Sequence, residues 1–214
     1  MTTAYTANSN ESRYWQSRNA LAEAARQLND KLVSSDITEA FADQIAAELR
    51  AITDRLADMP QVSGLVEMGR RENRGSVDNV MGELVAMAGR SHPCAPALTW
   101  QEHSGGITGT VLFSQAFEGP PGNVHGGWVA GILDHLMGMT HVRMGHPGMT
   151  GGLSVRYRRP TPLNTLIHVS AMAKELDERC TEVTAEMRHG EIVTATAEAI
   201  FIRVDSARFG FDPS

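Results

Sequence analysis

A run of prolines and glycines that leads straight into an apolar stretch constrains the fold of this chain more than any other feature. The run reads Gly119-Pro-Pro-Gly-Asn-Val-His-Gly-Gly, and Trp128 opens the apolar stretch. Proline fixes φ and glycine permits close backbone approach, so the run predicts a stiff turn that delivers the chain to a helix. Apolar residues then recur at helical spacings of three and four, namely Val129, Ile132, Leu133, Leu136 and Met137. We therefore expect a buried helix that starts near Gly126 and Gly127.

A single carboxylate, Asp134, lies within this apolar stretch. An acid in apolar surroundings costs free energy unless it is paired or has a chemical role. Asp134 follows His125 by nine residues, which places it about half a turn away around the axis and roughly 13 Å along it. Within one helix, the free N–H groups of the first turn therefore cannot meet this carboxylate. Two antiparallel helices related by a two-fold axis could bring them together, an arrangement that suits acyl transfer at a dimer interface.

Composition narrows the class of protein. The chain is 42% hydrophobic and 21% charged, as is ordinary for a soluble globular protein. Its formal net charge of −6 argues against a general nucleic-acid binder. We find no uninterrupted apolar window of about 18 residues, and we therefore expect no membrane-spanning helix. The polar residues 1–12 lack an apolar signal region, and Cys94 and Cys180 form no CxxC motif; both features predict a reduced, cytoplasmic protein.

The first part of the chain is helical in pattern. Between residues 13 and 57, two apolar stripes separated by Ser34 and Ser35 predict two amphipathic helices folded as a hairpin. We interpret residues 1–75 as an N-terminal helical extension that packs on the main domain or on a partner subunit. A regulatory or DNA-binding module is the alternative, and the even mixture of acidic and basic side chains weakens it.

From Leu98 onward the apolar period changes from helical to alternating. Strands are predicted around residues 107–113, 153–157, 167–173, 183–187 and 193–201, with His189 and Gly190 as a hairpin turn. Strands, one long helix and further strands form an α+β pattern. An antiparallel sheet that wraps one buried helix is the architecture we expect.

Two motifs together carry a family resemblance. The first is His125-Gly-Gly with an acid nine residues after the histidine, and the second is Thr150-Gly-Gly-Leu-Ser-Val-Arg-Tyr-Arg-Arg-Pro. Over roughly residues 90–204 the chain resembles the hotdog-fold acyl-CoA thioesterases of the PaaI-like and THEM-like type. The resemblance implies a hotdog thioesterase domain over residues 76–214 that hydrolyses an acyl- or aryl-CoA without a cofactor. It also implies a homodimer, or a dimer of dimers, with shared active sites.

The resemblance assigns roles to four catalytic residues. It implies that Asp134 is the nucleophile or the general base for water, and the sequence does not decide between these roles. The Gly127 N–H would be the oxyanion donor, His125 would position the substrate, and Thr150 would orient the water or Asp134. Each has a structural alternative: a hydrogen-bonded buried acid, a packing glycine, a turn histidine and a strand-start threonine.

Substrate binding is predicted next to these residues. In some family members an asparagine six residues before the histidine points at the thioester, and this chain has Gly119 at that position. Either the contact with the thioester is absent here, or Asn123 or His125 replaces it. The substrate-binding residues that we expect are Asn123, Gly126, Arg156, Arg158 and Arg159, the arginines because guanidinium groups bind phosphates such as those of coenzyme A. An exposed strand face is the alternative for the arginines. Trp128, Met137 and Met139 are candidates for an acyl pocket or for the core.

Other classes of site lack their motifs. The sequence has no HExxH and no GxSxG, so we expect neither a metal site nor a Ser-His-Asp hydrolase. A non-catalytic acyl-CoA-binding or regulatory hotdog protein is the main rival function, and the acid at position 134 argues against it. A hotdog hydratase would need an Asp/His pair placed at an enoyl group, for which we find no signature. We expect no nucleic-acid or membrane partner.

Overall fold

The computed structural model describes residues 12–72, 74–145 and 147–204. Before the sheet lie α1 (Arg13–Ser34), α2 (Glu39–Ala57), α3 (Leu65–Gly69) and α4 (Val77–Leu84). Strands β1 (Ala97–His103) and β2 (Gly106–Leu112) are followed by a 3₁₀ turn (Gln115–Phe117) and the long helix α5 (Gly126–Val142). The remaining strands are β3 (Gly148–Tyr157), β4 (Leu166–Glu175), β5 (Cys180–His189) and β6 (Ile192–Arg203).

The described strands form one six-stranded sheet in the order β1-β2-β4-β5-β6-β3, with every neighbouring pair antiparallel. The β5–β6 connection turns at His189 and Gly190, and Gly190 adopts a positive φ of 55° that favours glycine. Strand β3 lies at one edge of the sheet, although it directly follows α5 in sequence. The predicted α+β hotdog architecture is confirmed.

Helix α5 lies against the sheet as its core element. It begins at Gly126, as predicted, and its inward face is fully buried at Ile132, Leu133, Leu136 and Met137. Opposite these side chains, the sheet contributes the buried residues Val111, Ile167, Val183, Ala197 and Phe201. Each fully buried aliphatic or aromatic side chain stabilises a fold by about 1.5–3 kcal/mol, so this contact contributes strongly to stability.

The N-terminal helices differ from the predicted hairpin. Helix α1 packs on the 3₁₀ turn and buries Trp15 and Ala22, and the Trp15 indole N–H donates to the Arg74 carbonyl at 3.0 Å. Helix α2 has no buried residue. The hairpin prediction is wrong because α1 and α2 do not pack along each other: α1 packs on the 3₁₀ turn instead, and α2 buries none of its residues. The segment that joins the two helices is extended at Ser35 and Thr38.

Several expectations about the ends and divisions of the chain stay predictions. The domain boundary near residue 75 is one of them, and so is packing of the extension on a partner subunit. The prediction of a polar, signal-free N-terminus falls mostly on residues 1–11, which lie outside the described residues. Within the described part of the chain, no helix combines the length and apolar character needed to cross a bilayer.

Candidate active site

Asp134 and Thr150 meet at the centre of the candidate site. Asp134 is half-buried on α5, and the Thr150 hydroxyl donates a hydrogen bond to its Oδ1 at 2.9 Å. No described residue donates to Oδ2. The carboxylate is therefore held by one neutral donor, and its second oxygen remains available to water or substrate.

A bulge in β3 makes this contact possible. In the pairing of β3 with β6, Thr150 lies opposite Phe201 and Gly152 lies opposite Ile200, so Gly151 has no partner. Phe201 points into the core, and Thr150, its cross-strand neighbour, therefore faces α5. Tyr157 also faces α5, because its hydroxyl donates to the Gly126 carbonyl at 3.0 Å. Thr150 and Tyr157 are seven positions apart, an odd separation that would put them on opposite faces of a regular strand, and the extra residue restores the same face.

At the other end of the site, His125 is the N-cap of α5. The Gly127 N–H donates to the His125 Nδ1 at 3.0 Å. The Gly126 N–H has no acceptor among the described residues. Within this chain the first turn of α5 therefore presents one open donor, and it belongs to Gly126 rather than to Gly127, the donor predicted from the sequence.

The open donor and the carboxylate are far apart in one chain. Helix α5 is unbroken from Gly126 to Val142, so the eight-residue separation of Gly126 and Asp134 corresponds to about 12 Å along the axis. The structure brings Thr150 to Asp134 and His125 to the helix N-terminus, and it does not bring these two pairs to each other within the chain.

The turn before α5 explains the glycine at position 119. A Cβ on Gly119 would lie 2.6 Å from the His125 Cα, so this backbone leaves no room for a side chain there. The amide of the predicted substitute, Asn123, donates to the Pro121 carbonyl at 2.8 Å and thereby braces the turn. The replacement of the missing asparagine by Asn123 or His125 stays a prediction.

The three predicted phosphate-binding arginines are all exposed. The backbone N–H groups of Arg158 and Arg159 both donate to the Thr194 carbonyl, at 2.8 and 3.1 Å, which anchors the segment after β3 beside Tyr157. Arg156 lies one position before Tyr157 on the strand and therefore points to the face of the sheet away from α5. Arg158 and Arg159 are thus the better placed of the three for a ligand at the α5 N-terminus.

A cavity of about 1230 Å³ opens beside the carboxylate. Asp134, His135 and Thr150 form part of its wall, and most of the remaining wall is apolar. Of the predicted acyl-pocket residues, Met139 lines this cavity, Trp128 lines a second cavity of about 540 Å³, and Met137 is fully buried in the core. In the described residues, no three His, Cys, Asp or Glu side chains are grouped closely enough to hold a metal ion.

His135 also lines this cavity beside Asp134, and the sequence did not predict a role for it. Burial lowers its pKa to about 4, against the opposing effect of the neighbouring Asp134 carboxylate, which favours the imidazolium. The imidazole is therefore neutral near pH 7. Its position directly after Asp134 on an amphipathic helix was the available signal, because adjacent helical residues can border the same cavity.

Comparisons with known proteins converge on one family. Residues 121–200 match the family model of the thioesterase superfamily. The acyl-coenzyme A thioesterase THEM4 of Xenopus laevis is 32% identical over 89 residues, which is 41% of this chain and 40% of that protein. THEM4 of Mus musculus is 31% identical over 90 residues, 41% of this chain and 39% of that protein. The chain thus aligns with about two fifths of the length of these curated relatives.

A solved structure extends the similarity to the N-terminal helices. The crystal structure of a protein described as a member of the thioesterase superfamily has a TM-score of 0.76 and 29% sequence identity with this chain. The match covers 94% of this chain and 95% of the other. Because the family model matches only residues 121–200, this similarity shows that the N-terminal helices also occur in a protein described as a member of that superfamily.

The buried imidazole predicts a specific pH dependence of stability. The folded-state pKa of His135 is depressed to about 4, so between pH 6.5 and 4 the unfolded chain binds a proton that the folded chain does not. This stabilising contribution is fully present above pH 6.5 and is lost as the pH falls towards 4, by at most about 3 kcal/mol. In urea unfolding at pH 7 and pH 4.5, His135→Gln should lose less stability on acidification than the wild type. Equal losses for both proteins would contradict the assignment.

Proposed function

From the thioesterase-superfamily domain that this chain contains, we infer that the protein hydrolyses the thioester of an acyl-CoA to a free acid and coenzyme A. One observation carries the proposal: the Asp134 carboxylate is oriented by Thr150 and faces a large, mostly apolar cavity. A protein that only binds acyl-CoA has no need to place a carboxylate in such a wall, where it costs free energy.

Asp134 drives the attack on the thioester carbonyl. The Thr150 hydroxyl holds Oδ1, which leaves Oδ2 to accept a proton from water as the water oxygen bonds to the carbonyl carbon. The alternative route, in which Oδ2 itself bonds to that carbon and water then cleaves the anhydride, uses the same atom. In both routes the C–S bond breaks, the thiolate of coenzyme A takes up a proton, and the products are the acid and the free thiol.

The first turn of α5 stabilises the oxyanion. Helix N-termini favour negative charge, and a donor aimed at the developing oxyanion lowers the barrier because it is already oriented. The Gly126 N–H is open for this role, whereas the Gly127 N–H contributes only if its bond to His125 is shared with the substrate. The His125 ring accepts this bond at Nδ1, so in the neutral ring Nε2 carries the hydrogen and can position a substrate oxygen.

Two copies of the chain are needed to complete the site. The roughly 12 Å between Gly126 and Asp134 along α5 is too long for one thioester to contact both in the same chain. In an isologous dimer with antiparallel α5 helices, the N-terminus of one helix faces Asp134 of the other, and each dimer has two such sites.

The nucleotide part of coenzyme A binds beside the segment after β3. Arg158 and Arg159 follow Tyr157, whose hydroxyl contacts the first residue of α5. Guanidinium groups bind phosphates through paired, charge-assisted hydrogen bonds. The exposed position of both arginines allows the nucleotide to remain at the surface while the thioester reaches the α5 N-terminus.

Replacement of the carboxylate tests the reaction. Asp134→Asn keeps the size of the side chain and removes the base, so kcat should fall by at least about 10²-fold. Binding of acyl-CoA, measured by calorimetry, should persist. Thr150→Val removes the donor to Oδ1 and should lower kcat by about 10- to 100-fold, whereas Thr150→Ser keeps the hydroxyl and most of the activity. Thiol release by Asp134→Asn at near the wild-type rate would refute the role of Asp134.

An enoyl-CoA substrate serves as the control for reaction class. Asp134 and His135 both line the cavity, and a hydratase would use such a pair to add water to the double bond. Adjacent helical residues diverge by about 100° around the axis, and we therefore expect thiol release without hydration. Hydration of the enoyl group with no free thiol would replace the thioesterase assignment.

The arginines should affect the Michaelis constant more than turnover. Arg158→Ala and Arg159→Ala are expected to raise KM more than they lower kcat, because a phosphate contact far from the thioester acts mainly on binding. The effect should shrink for a pantetheine thioester, which lacks the nucleotide. Arg156→Ala is the matched control, since its side chain lies on the other face of the sheet. Equal losses on both substrates would indicate a structural role instead.

Mixed dimers test the shared site. Gly126→Pro removes the open N–H at the first helical position, where proline is favoured, and the φ of −60° and ψ of 132° at His125 suit a residue that precedes proline. Homodimers of Gly126→Pro and of Asp134→Asn should both be inactive. A mixed dimer places both changes in one site, leaves the other intact, and should recover about half of the wild-type activity.

A second substitution at position 126 controls for packing. Gly126→Ala keeps the N–H, and its Cβ would lie 3.4 Å from the Tyr157 ring, close to an ordinary contact. We expect this variant to remain active. If the subunits demonstrably exchange and the mixed dimers stay inactive, the two-chain site is wrong.

A further inference from the structure

The cavity beside Asp134 is not formed by the sheet and α5 alone. Ala20 of α1 and Met81 and Val85 of the α4 region line the same cavity as Asp134 and Thr150. The match to the thioesterase family model begins only at residue 121, so this part of the wall comes from segments that precede it. The segment after α4 also packs closely on α5. The Met87 side chain occupies the space that Gly131 leaves, since a Cβ on Gly131 would lie 2.7 Å from the Met87 Cε.

The α1–α4 wall, defined as Ala20, Met81 and Val85, is held in place by buried polar contacts. Glu83 is almost fully buried, forms an ion pair with Arg90 and accepts a hydrogen bond from the Ser91 hydroxyl at 2.8 Å. The same hydroxyl lies 2.8 Å from the Asn19 side-chain oxygen on α1. Moving α1 away from the α4 region would leave some of these buried polar groups without a hydrogen-bond partner, which costs free energy. The network therefore holds the two segments together.

Helix α1 has a second anchor on the same loop. The Arg26 guanidinium donates to the carbonyls of Arg90 and His92, at 3.2 and 3.0 Å. The helix therefore cannot move away from the cavity without leaving these carbonyls without a donor. These hydrogen bonds therefore hold α1 beside the loop that borders the cavity.

The chemistry of the cavity indicates what it accepts. Its charged lining residues other than Asp134 all have partners of opposite sign: Arg26 pairs with Glu23, Arg90 with Glu83, and Arg143 with Glu102. Among the described lining residues, each arginine already has an acidic partner, so none is left to bind a second carboxylate on the ligand. Three methionines, Met81, Met139 and Met149, line the cavity, and their flexible side chains adapt to an irregular apolar ligand.

We propose that the α1–α4 wall confines the acyl group of the substrate and sets the upper limit of acyl size, with an uncharged aliphatic chain as the preferred group. This inference rests on the proposed thioesterase function and adds the determinants of acyl selectivity. It predicts that selectivity depends on residues that lie outside the region matched by the family model.

The test fills the cavity from two separate elements. Val85→Phe and Ala20→Phe each add a ring to the wall, and Ser17→Phe places the same ring at an exposed position of α1 that does not line the cavity. Full-length proteins are compared by kcat/KM with butanoyl-, octanoyl-, dodecanoyl- and hexadecanoyl-CoA. Because each buried methylene contributes about a fourfold gain in binding, exclusion of two methylenes should lower kcat/KM for the longest chain by at least about tenfold.

The expected pattern is a change in the ratio of long-chain to short-chain kcat/KM. Both lining variants should lose long-chain activity and keep the butanoyl rate within about twofold of wild type, while Ser17→Phe follows the wild type throughout. A mono-CoA thioester of a long dicarboxylic acid should be a poor substrate for every protein. Thermal unfolding verifies that each variant is folded. Because the two lining variants lie on different elements, the test remains valid if one of these variants does not fold.

Binding measurements separate this inference from the proposed function. Non-hydrolysable butyl and hexadecyl thioethers of coenzyme A report the same Kd ratio without any reaction. Suppose that the wild type releases no thiol from any acyl-CoA, but the lining variants still weaken hexadecyl binding selectively. The thioesterase assignment is then wrong, and the proposed role of the wall in limiting acyl size is supported. If folded lining variants keep the wild-type ratio in both measurements, or if the dicarboxylic thioester is preferred, the proposed role of the wall is overturned.

Discussion

The burial of α5 against the sheet is the contact on which the rest of the structure depends. Its inward residues are fully buried, so the helix cannot rotate or slide without exposing them. The two polar parts of the candidate site, the Gly126 N-terminus and Asp134, belong to this one rigid element. Their separation is therefore set by the rise of the helix and not by loops. A carboxylate on such a helix costs free energy, which the Thr150 hydrogen bond offsets in part.

Strand β3 fastens both ends of the candidate site to the sheet. Tyr157 bonds the first residue of α5, and Thr150 bonds Asp134 two turns later. The bulge at Gly151 lets both side chains face the helix from one strand. Bulges recur near active sites because they re-aim a side chain without changing the pairing of the rest of the strand. The strand is also an edge of the sheet, so the site lies where a second chain can approach.

The N-terminal helices divide into two parts with different surroundings. Helix α1 and the α4 region are joined by buried polar contacts and border the cavity. Helix α2 buries no residue, and its apolar side chains Phe41, Ile52 and Leu56 are exposed. The family model does not cover these helices, yet a superfamily member of known structure shares them.

The sequence by itself determined the features that depend on local chemistry. Proline, glycine and apolar periods predicted the turn at residues 119–127, the start of α5, the strands and the prominence of Asp134, because these patterns act over a few neighbouring residues. Only the tertiary structure decided that α1 and α2 do not form a hairpin, that the bulge turns Thr150 towards Asp134, and that His125 occupies the Gly127 N–H and leaves that of Gly126 open. The burial of His135 and the α1–α4 wall belong to the same group. Each depends on contacts between segments distant in sequence, and no local period encodes which strand face, helix end or cavity such segments will share.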